Sequence, residues 1–163
     1  DIREGRADLG IIAGEVDTHG LTSVHFSTDR LVLVAPDTAR WQGIQTLGFA
    51  EVLHEHFVGM HRSSTLQTFL GNIGQQLGHT LKLRIQLASF EAMCSMVAAG
   101  VGIAVVPESA AQRSRTHQQL RQITLTDSWA VRPRYMLLRE GSNVASHVHA
   151  LMQAVQHYHQ APA

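Results

Sequence analysis

Apolar and polar positions follow two different periods along this chain. Residues 81–88, LKLRIQLA, alternate strictly: Leu81, Leu83, Ile85 and Leu87 point one way, and Lys82, Arg84 and Gln86 the other. That period of two predicts a strand in a sheet that is wet on one face. Leu66, Phe69, Leu70, Ile73 and Leu77 recur at helical spacing and predict an amphipathic helix, with Ser64 or Thr65 as N-cap and Gly78 as stop. Gly71 and Gly74 inside that helix imply a neighbour packed closely on it. Ser89 opens a second helix, with Phe90, Met93, Cys94 and Val97 on one side and Gly100 at its end. A last helix carries Val144, Val148, Leu151, Met152 and Val155 on one face.

Short unbroken apolar runs predict buried strands at Leu9 to Ala13, at Leu31 to Ala35 before Pro36, at Phe57 to Met60, and at Gly102 to Val106 before Pro107. Residues 21–28 alternate only loosely, and a short helix is expected around Leu47 to His54. Leu120 to Leu125 reads as a weaker strand; Tyr135 to Arg139 reads as the last one, followed by a turn at Gly141-Ser142-Asn143. Strands alternating with helices predict an α/β fold with a largely parallel sheet. Pro36 and Pro133 mark the best crossings between two lobes.

Composition narrows the class. The chain has 163 residues, 44% hydrophobic and 16% charged, enough for a sizeable core and too apolar for disorder. Its one cysteine excludes an internal disulfide and any multi-cysteine metal site, and favours a reducing, cytoplasmic setting. Lys+Arg and Asp+Glu both total 13, so no net field draws the chain to nucleic acid or anionic lipid. No apolar run approaches a membrane span, and DIREGRADLG has no signal-peptide core. Beginning at Asp1, the chain reads as the middle of a longer gene product.

Several residues carry candidate chemistry. Histidine occurs 11 times, with pairs at His54/His56, His147/His149 and His157/His159. An i, i+2 spacing on a helix points two rings apart, so no metal is expected. Cys94 lies on the apolar side of its helix, and core packing accounts for it better than nucleophilic chemistry. Asp8 and Glu15 find no partner for acid–base work, no cofactor is called for, and an enzyme is not expected. Gly100-Val101-Gly102 resembles part of a phosphate loop, but no Lys-Ser/Thr follows; the glycines serve a tight turn into the next strand. Arg113, Arg115 and Arg121 are too sparse for a nucleic-acid face and read as a solvated loop. Ser63, Ser64 and Thr65 place three hydroxyls at a helix start, where free N–H groups and the positive helix end suit a carboxylate or phosphate. Simple capping explains them equally well. A similar start lies at Ser89-Phe90.

Ser89 to Ala111, SFEAMCSMVAAGVGIAVVPESAA, resembles the S-F-x-A-x-x-x-M-V-A-A-G-x-G-I-A-x-x-P segment of the effector-binding domain of LysR-type transcriptional regulators. REGRADLGI from Arg3, DRLVLVAP from Asp29, and the block from Phe57 to Leu70 are similar to further family motifs, in the same order. The resemblance extends from Ile2 to about Tyr158. It implies the α/β fold of type II periplasmic binding proteins: two lobes joined by crossing strands, with a small, often anionic effector between them. Residues 1–35 would form part of lobe I, 36–133 lobe II, and 134–163 the return strand and C-terminal helix of lobe I. Implied contacts are Ser63, Ser64 and Thr65 at a helix start, backbone at Ala13 and Gly14, and a wall of Ser89 and Phe90.

Against the family pattern, the winged helix-turn-helix, the dimerising linker helix and the first strand–helix–strand unit of lobe I are missing. Leu9 to Ala13 and Tyr135 to Leu138 are expected to flank a strand from that missing unit, leaving apolar edges. Pairing into dimers or tetramers, and contact with DNA, would belong to the full-length regulator. The alternative reading is a solute-binding protein of a transport system with the same fold. With equal numbers of acidic and basic side chains, this chain alone should leave duplex DNA unshifted in a mobility assay. A salt-dependent, sequence-preferring shift would contradict that expectation.

Overall fold

The computed structural model describes residues 2–14, 17–115, 119–141 and 144–160, with the backbone alone described at residues 159 and 160. Contacts divide the chain into two units, Asp1–Asp29 with Val131–Ala163, and Arg30–Ala130. The first boundary falls inside one strand, Leu21–Pro36, and the second at the start of another, Val131–Arg139.

The smaller unit contains β1 (Gly10–Ala13), the first part of β2 (Leu21–Pro36), a strand at Val131–Arg139 that is the eighth in the chain, and a C-terminal helix, Ser146–Gln160. β1 pairs directly and antiparallel with the Val131–Arg139 strand, Gly10 opposite Leu137, and that strand lies between β1 and β2. No strand is interposed, so the expectation of one between Leu9–Ala13 and Tyr135–Leu138 is corrected, while β1 remains the outer strand of its sheet. Phe26, Met136 and Leu138 from the strands pack on Val148 and Met152 from the helix. Leu151, expected on that face, is 52% exposed, and Ile11 in the supposedly buried first strand is 58% exposed. Arg132 donates to Asp29 at 2.9 Å, with both side chains largely covered. The turn expected at Ser142 and Asn143 lies outside the described residues, as does Glu15.

The larger unit is a layered α/β structure. After β2 come β3 (Thr46–Leu47), β4 (His56–Met60), α1 (Thr65–Gln76), β5 (Lys82–Leu87), α2 (Phe90–Ala98), β6 (Ala104–Pro107), α3 (Glu108–Arg115) and β7 (Leu120–Leu125). The remaining strand and helix, already described, are thus β8 (Val131–Arg139) and α4 (Ser146–Gln160). β5 runs parallel to β4, and β4 makes a parallel bridge from Phe57 to Ile103, just before β6. β2 runs antiparallel to β6 and β7, and β3 runs parallel to β7. The expectation of a largely parallel sheet is thus corrected to a mixed one: β3 to β7 share a direction, but the ladders of β2 with β6 and β7, and of β1 with the Val131–Arg139 strand, are antiparallel.

Leu31 to Ala35 are fully buried. Period two sends Leu31, Leu33 and Ala35 to a cluster covered by α1 through Leu66 and Leu70. Val32 and Val34 face the other cluster, under Met93, Cys94 and Val97 of α2 and Ala111 of α3. Helix-covered faces on both sides explain why this stretch reads as a continuous apolar run. β5, predicted half-wet, is the outer strand, and its Leu83 and Ile85 are 38% and 36% exposed. The short helix expected near 47–54 is a 3₁₀ turn, Phe49–Val52. The segment read as a solvated arginine loop contains α3, while Arg121 sits on β7 and pairs with Asp37 at 2.6 Å. Among the described residues no helix is long and apolar enough to cross a membrane.

Glycines mark the close approaches. A Cβ on Gly102 would meet the His56 backbone oxygen at 2.4 Å, where Ile103 N–H donates to that same oxygen at 2.9 Å. Gly74 is packed against the His79 backbone, as expected, whereas a Cβ on Gly71 meets nothing within 4 Å. Gly102→Ala should therefore cost about 1–3 kcal/mol in chemical denaturation, because backbone must shift. Gly71→Ala in the same assay should stabilise by about 0.5–1 kcal/mol. Equal stabilities for the two variants would contradict this packing.

Candidate functional site

β4 and β5 are parallel neighbours, with Met60 opposite Leu87 and His61 N–H donating to the Leu87 oxygen at 2.9 Å. Both strands therefore end side by side. Each then feeds a helix, α1 after β4 and α2 after β5, and the helices lie on opposite faces of the sheet. Adjacent strand ends whose helices depart to opposite faces form a crevice, the usual place for a ligand in an open α/β sheet. Each helix start also presents N–H groups and the positive end of its dipole.

The local sequence builds both starts from serine. Ser64 has the extended backbone of an N-cap, and its Oγ accepts from Gln67 N–H at a long 3.4 Å. Ser63 is exposed, and its Oγ is 2.8 Å from His61 Nδ1. Thr65 is the exposed first residue of α1. At the second start, Ser89 Oγ accepts from Ala92 N–H at 3.2 Å. Ser63, Ser64, Thr65 and Ser89 thus lie at one end of this unit. Phe90, expected as a wall, is half-buried and packs against both core clusters, so it anchors α2. Ala13 and Gly14 belong to the other unit, at the end of β1; Gly14 N–H already donates to the Pro133 oxygen at 2.9 Å.

Three further residues shape the turn, and residue type alone carried no signal for them. Met60 N–H donates to Gln67 Oε1 at 3.0 Å, Gln86 Nε2 donates to the Met60 oxygen at 2.9 Å, and His61 meets Ser63 as above. The charges at these starts are Arg62, exposed, and Glu91 in the first turn of α2, 3.7 Å from Arg113. Cys94 is fully buried, and burial pushes its thiol up, which suits packing. Among the described residues no group of three or more His, Cys, Asp or Glu could hold a metal ion. A cavity of about 510 Å³ in the same unit is lined by Arg40, Trp41, Thr46 and Glu51 among others, and by none of the residues expected from the sequence.

The chain is similar to known proteins along nearly its whole length. A "Probable RuBisCO transcriptional regulator" from Emiliania huxleyi is 28% identical over 115 residues, covering 67% of this chain and 37% of that protein. One from Cyanidium caldarium is 26% identical over 130 residues, covering 76% of this chain and 41% of that protein. The chain thus spans about two-fifths of the length of the curated relatives it matches. The regulatory domain of Synechocystis PCC6803 CcmR, solved in complex with 2-PG, superposes with a TM-score of 0.82 at 17% identity, covering 98% of this chain and 76% of that one. The effector-binding domain of QuiR with shikimate superposes at 0.75 and 14% identity, covering 98% and 75%. At such identities these likenesses show the fold, that of two-lobed effector-binding domains of the type II periplasmic-binding-protein kind. The family model for the LysR substrate binding domain matches residues 1–160. This chain belongs to the LysR substrate-binding domain family.

Proposed function

We propose that the chain is the effector-sensing domain of a bacterial LysR-type transcriptional regulator, holding a small, anionic metabolite at the starts of α1 and α2. The observation that carries this is the pair of serine-capped helix N-termini at adjacent parallel strand ends. Two helix N-termini with hydroxyls and free N–H groups favour a carboxylate or phosphate over a neutral ligand. Solved proteins of this fold bind small molecules, 2-PG and shikimate among them. No chemistry is done on the ligand: its occupancy alters the DNA grip of a winged helix-turn-helix elsewhere in the regulator, which works as a dimer or tetramer in the cytoplasm.

In this reading the unit Arg30–Ala130 corresponds to lobe II, and the other unit, which holds Ala13 and Gly14, to part of lobe I.

Ser64 allows a clean test, because capping and ligand contact predict different outcomes. Ser64→Ala should lose about 0.5–1 kcal/mol of stability, the low end for a cap, given its 3.4 Å bond. Ser64→Asp keeps a cap but puts negative charge where an anion would sit. In a thermal-shift screen of small organic anions that includes 2-PG and shikimate, Ser64→Asp should melt near wild type without ligand. It should lose most of the ligand-induced shift, consistent with a charge-assisted bond of roughly 1.5–3 kcal/mol. An unchanged shift in Ser64→Asp would leave Ser64 as a cap only.

A further inference from the structure

We propose that Gln67 is a positioning residue of the effector site: it touches no ligand but sets the backbone of the turn that does. The inference rests on the reading of that site given above. Gln67 lies in the first turn of α1, yet its side chain reaches back to β4. Its Oε1 accepts Met60 N–H at 3.0 Å, so one residue ties the strand end to the helix start. The room for that reach comes from Gly59. A Cβ there would sit 2.5 Å from Gln67 Oε1 and 2.8 Å from Leu83 Cδ2, so the amide fills the space a side chain would take.

The same peptide region is held from its other side. Gln86 Nε2 donates to the Met60 oxygen at 2.9 Å, and His61 N–H donates to the Leu87 oxygen at 2.9 Å. Ser64 N–H then donates to the His61 oxygen at 2.9 Å, and Ser64 Oγ accepts from the N–H of Gln67 itself. Gln67 thus closes a ring: its side chain fixes where the turn begins, and its own N–H fixes where Ser64 points. A contact made through Ser63, Ser64 or Thr65 depends on both ends of that ring. Small displacements of a binding group cost much affinity, so a residue that only holds the frame is read out in binding.

The test compares Gln67→Met, which keeps length and removes the acceptor, with Gln67→Glu, which keeps an acceptor. Gly102→Ala serves as a variant destabilised far from the turn. Amide hydrogen exchange on the 163-residue chain should show Met60 exchanging about ten-fold faster or more in Gln67→Met. Met60 should stay protected in Gln67→Glu, and the last turn of α1 should be unchanged in both. In titrations with 2-PG and with inorganic phosphate, followed by amide shifts while each variant is folded, Gln67→Met should bind about ten-fold more weakly. Gly102→Ala should bind as wild type does. Unchanged Met60 exchange in Gln67→Met overturns the proposal, as does equal loss of affinity in Gly102→Ala. If the wild-type chain binds neither probe, the reading of the effector site falls, and exchange at Met60 alone decides whether Gln67 holds the turn.

Discussion

Everything in the larger unit is built on five residues that water never reaches. Leu31 to Ala35 are paired on one edge by β6 and on the other by β7, and helices cover the unit's sheet on both faces. A strand enclosed in this way must satisfy every backbone group through its neighbours, because no solvent is available to do so. It also divides the interior: leucines and an alanine for the side under α1, valines for the side under α2 and α3. The bulky rings, Phe49, Phe57 and Trp129, gather on the leucine side, Phe49 meeting both others edge-on. The valine side holds Ala111 of α3 and the buried thiol of Cys94.

That division is what gives the site its shape. Because α1 and α2 cover opposite faces, the strands feeding them end next to each other while the helices diverge. The adjacency of the two helix starts is a consequence of topology, and Ser64 and Ser89 cap them. Phe90 shows how tightly site and core are joined: one residue beyond a proposed ligand contact, its ring is already packed against both cores. The site is held by the core beneath it rather than by its own loop.

Local chemistry was the part of this that could be read in advance. Both N-caps, the Gly78 and Gly100 stops at φ of +79°, and the close packing at Gly74 follow from signals a few residues long. What depended on distant partners was harder. α3 was missed because it buries only Ala110, Ala111 and Ser114, so no apolar stripe announces a helix. The direction of β2 and the direct pairing of β1 with β8 are set by residues more than sixty positions away. Leu83, Ile85 and Leu151 read as core by period, but an outer strand and an outer helix leave part of each in water. At the site, the hydroxyls were legible as cap residues; Gln67 and Gln86 were not, since a glutamine declares nothing until its backbone partner is in place.

The strict alternation inside β2 also limits how this chain can change over generations. Exchange of one aliphatic side chain for another between Leu31 and Ala35 alters volume at a single point. Gain or loss of one residue there would turn the whole register over, carrying leucines into the space shaped for valines and valines toward the aromatic rings. Both ladders would have to shift with it. Homologous lineages should therefore drift freely in the identity of these side chains while keeping their number, so that spacing outlasts sequence as the inherited trait.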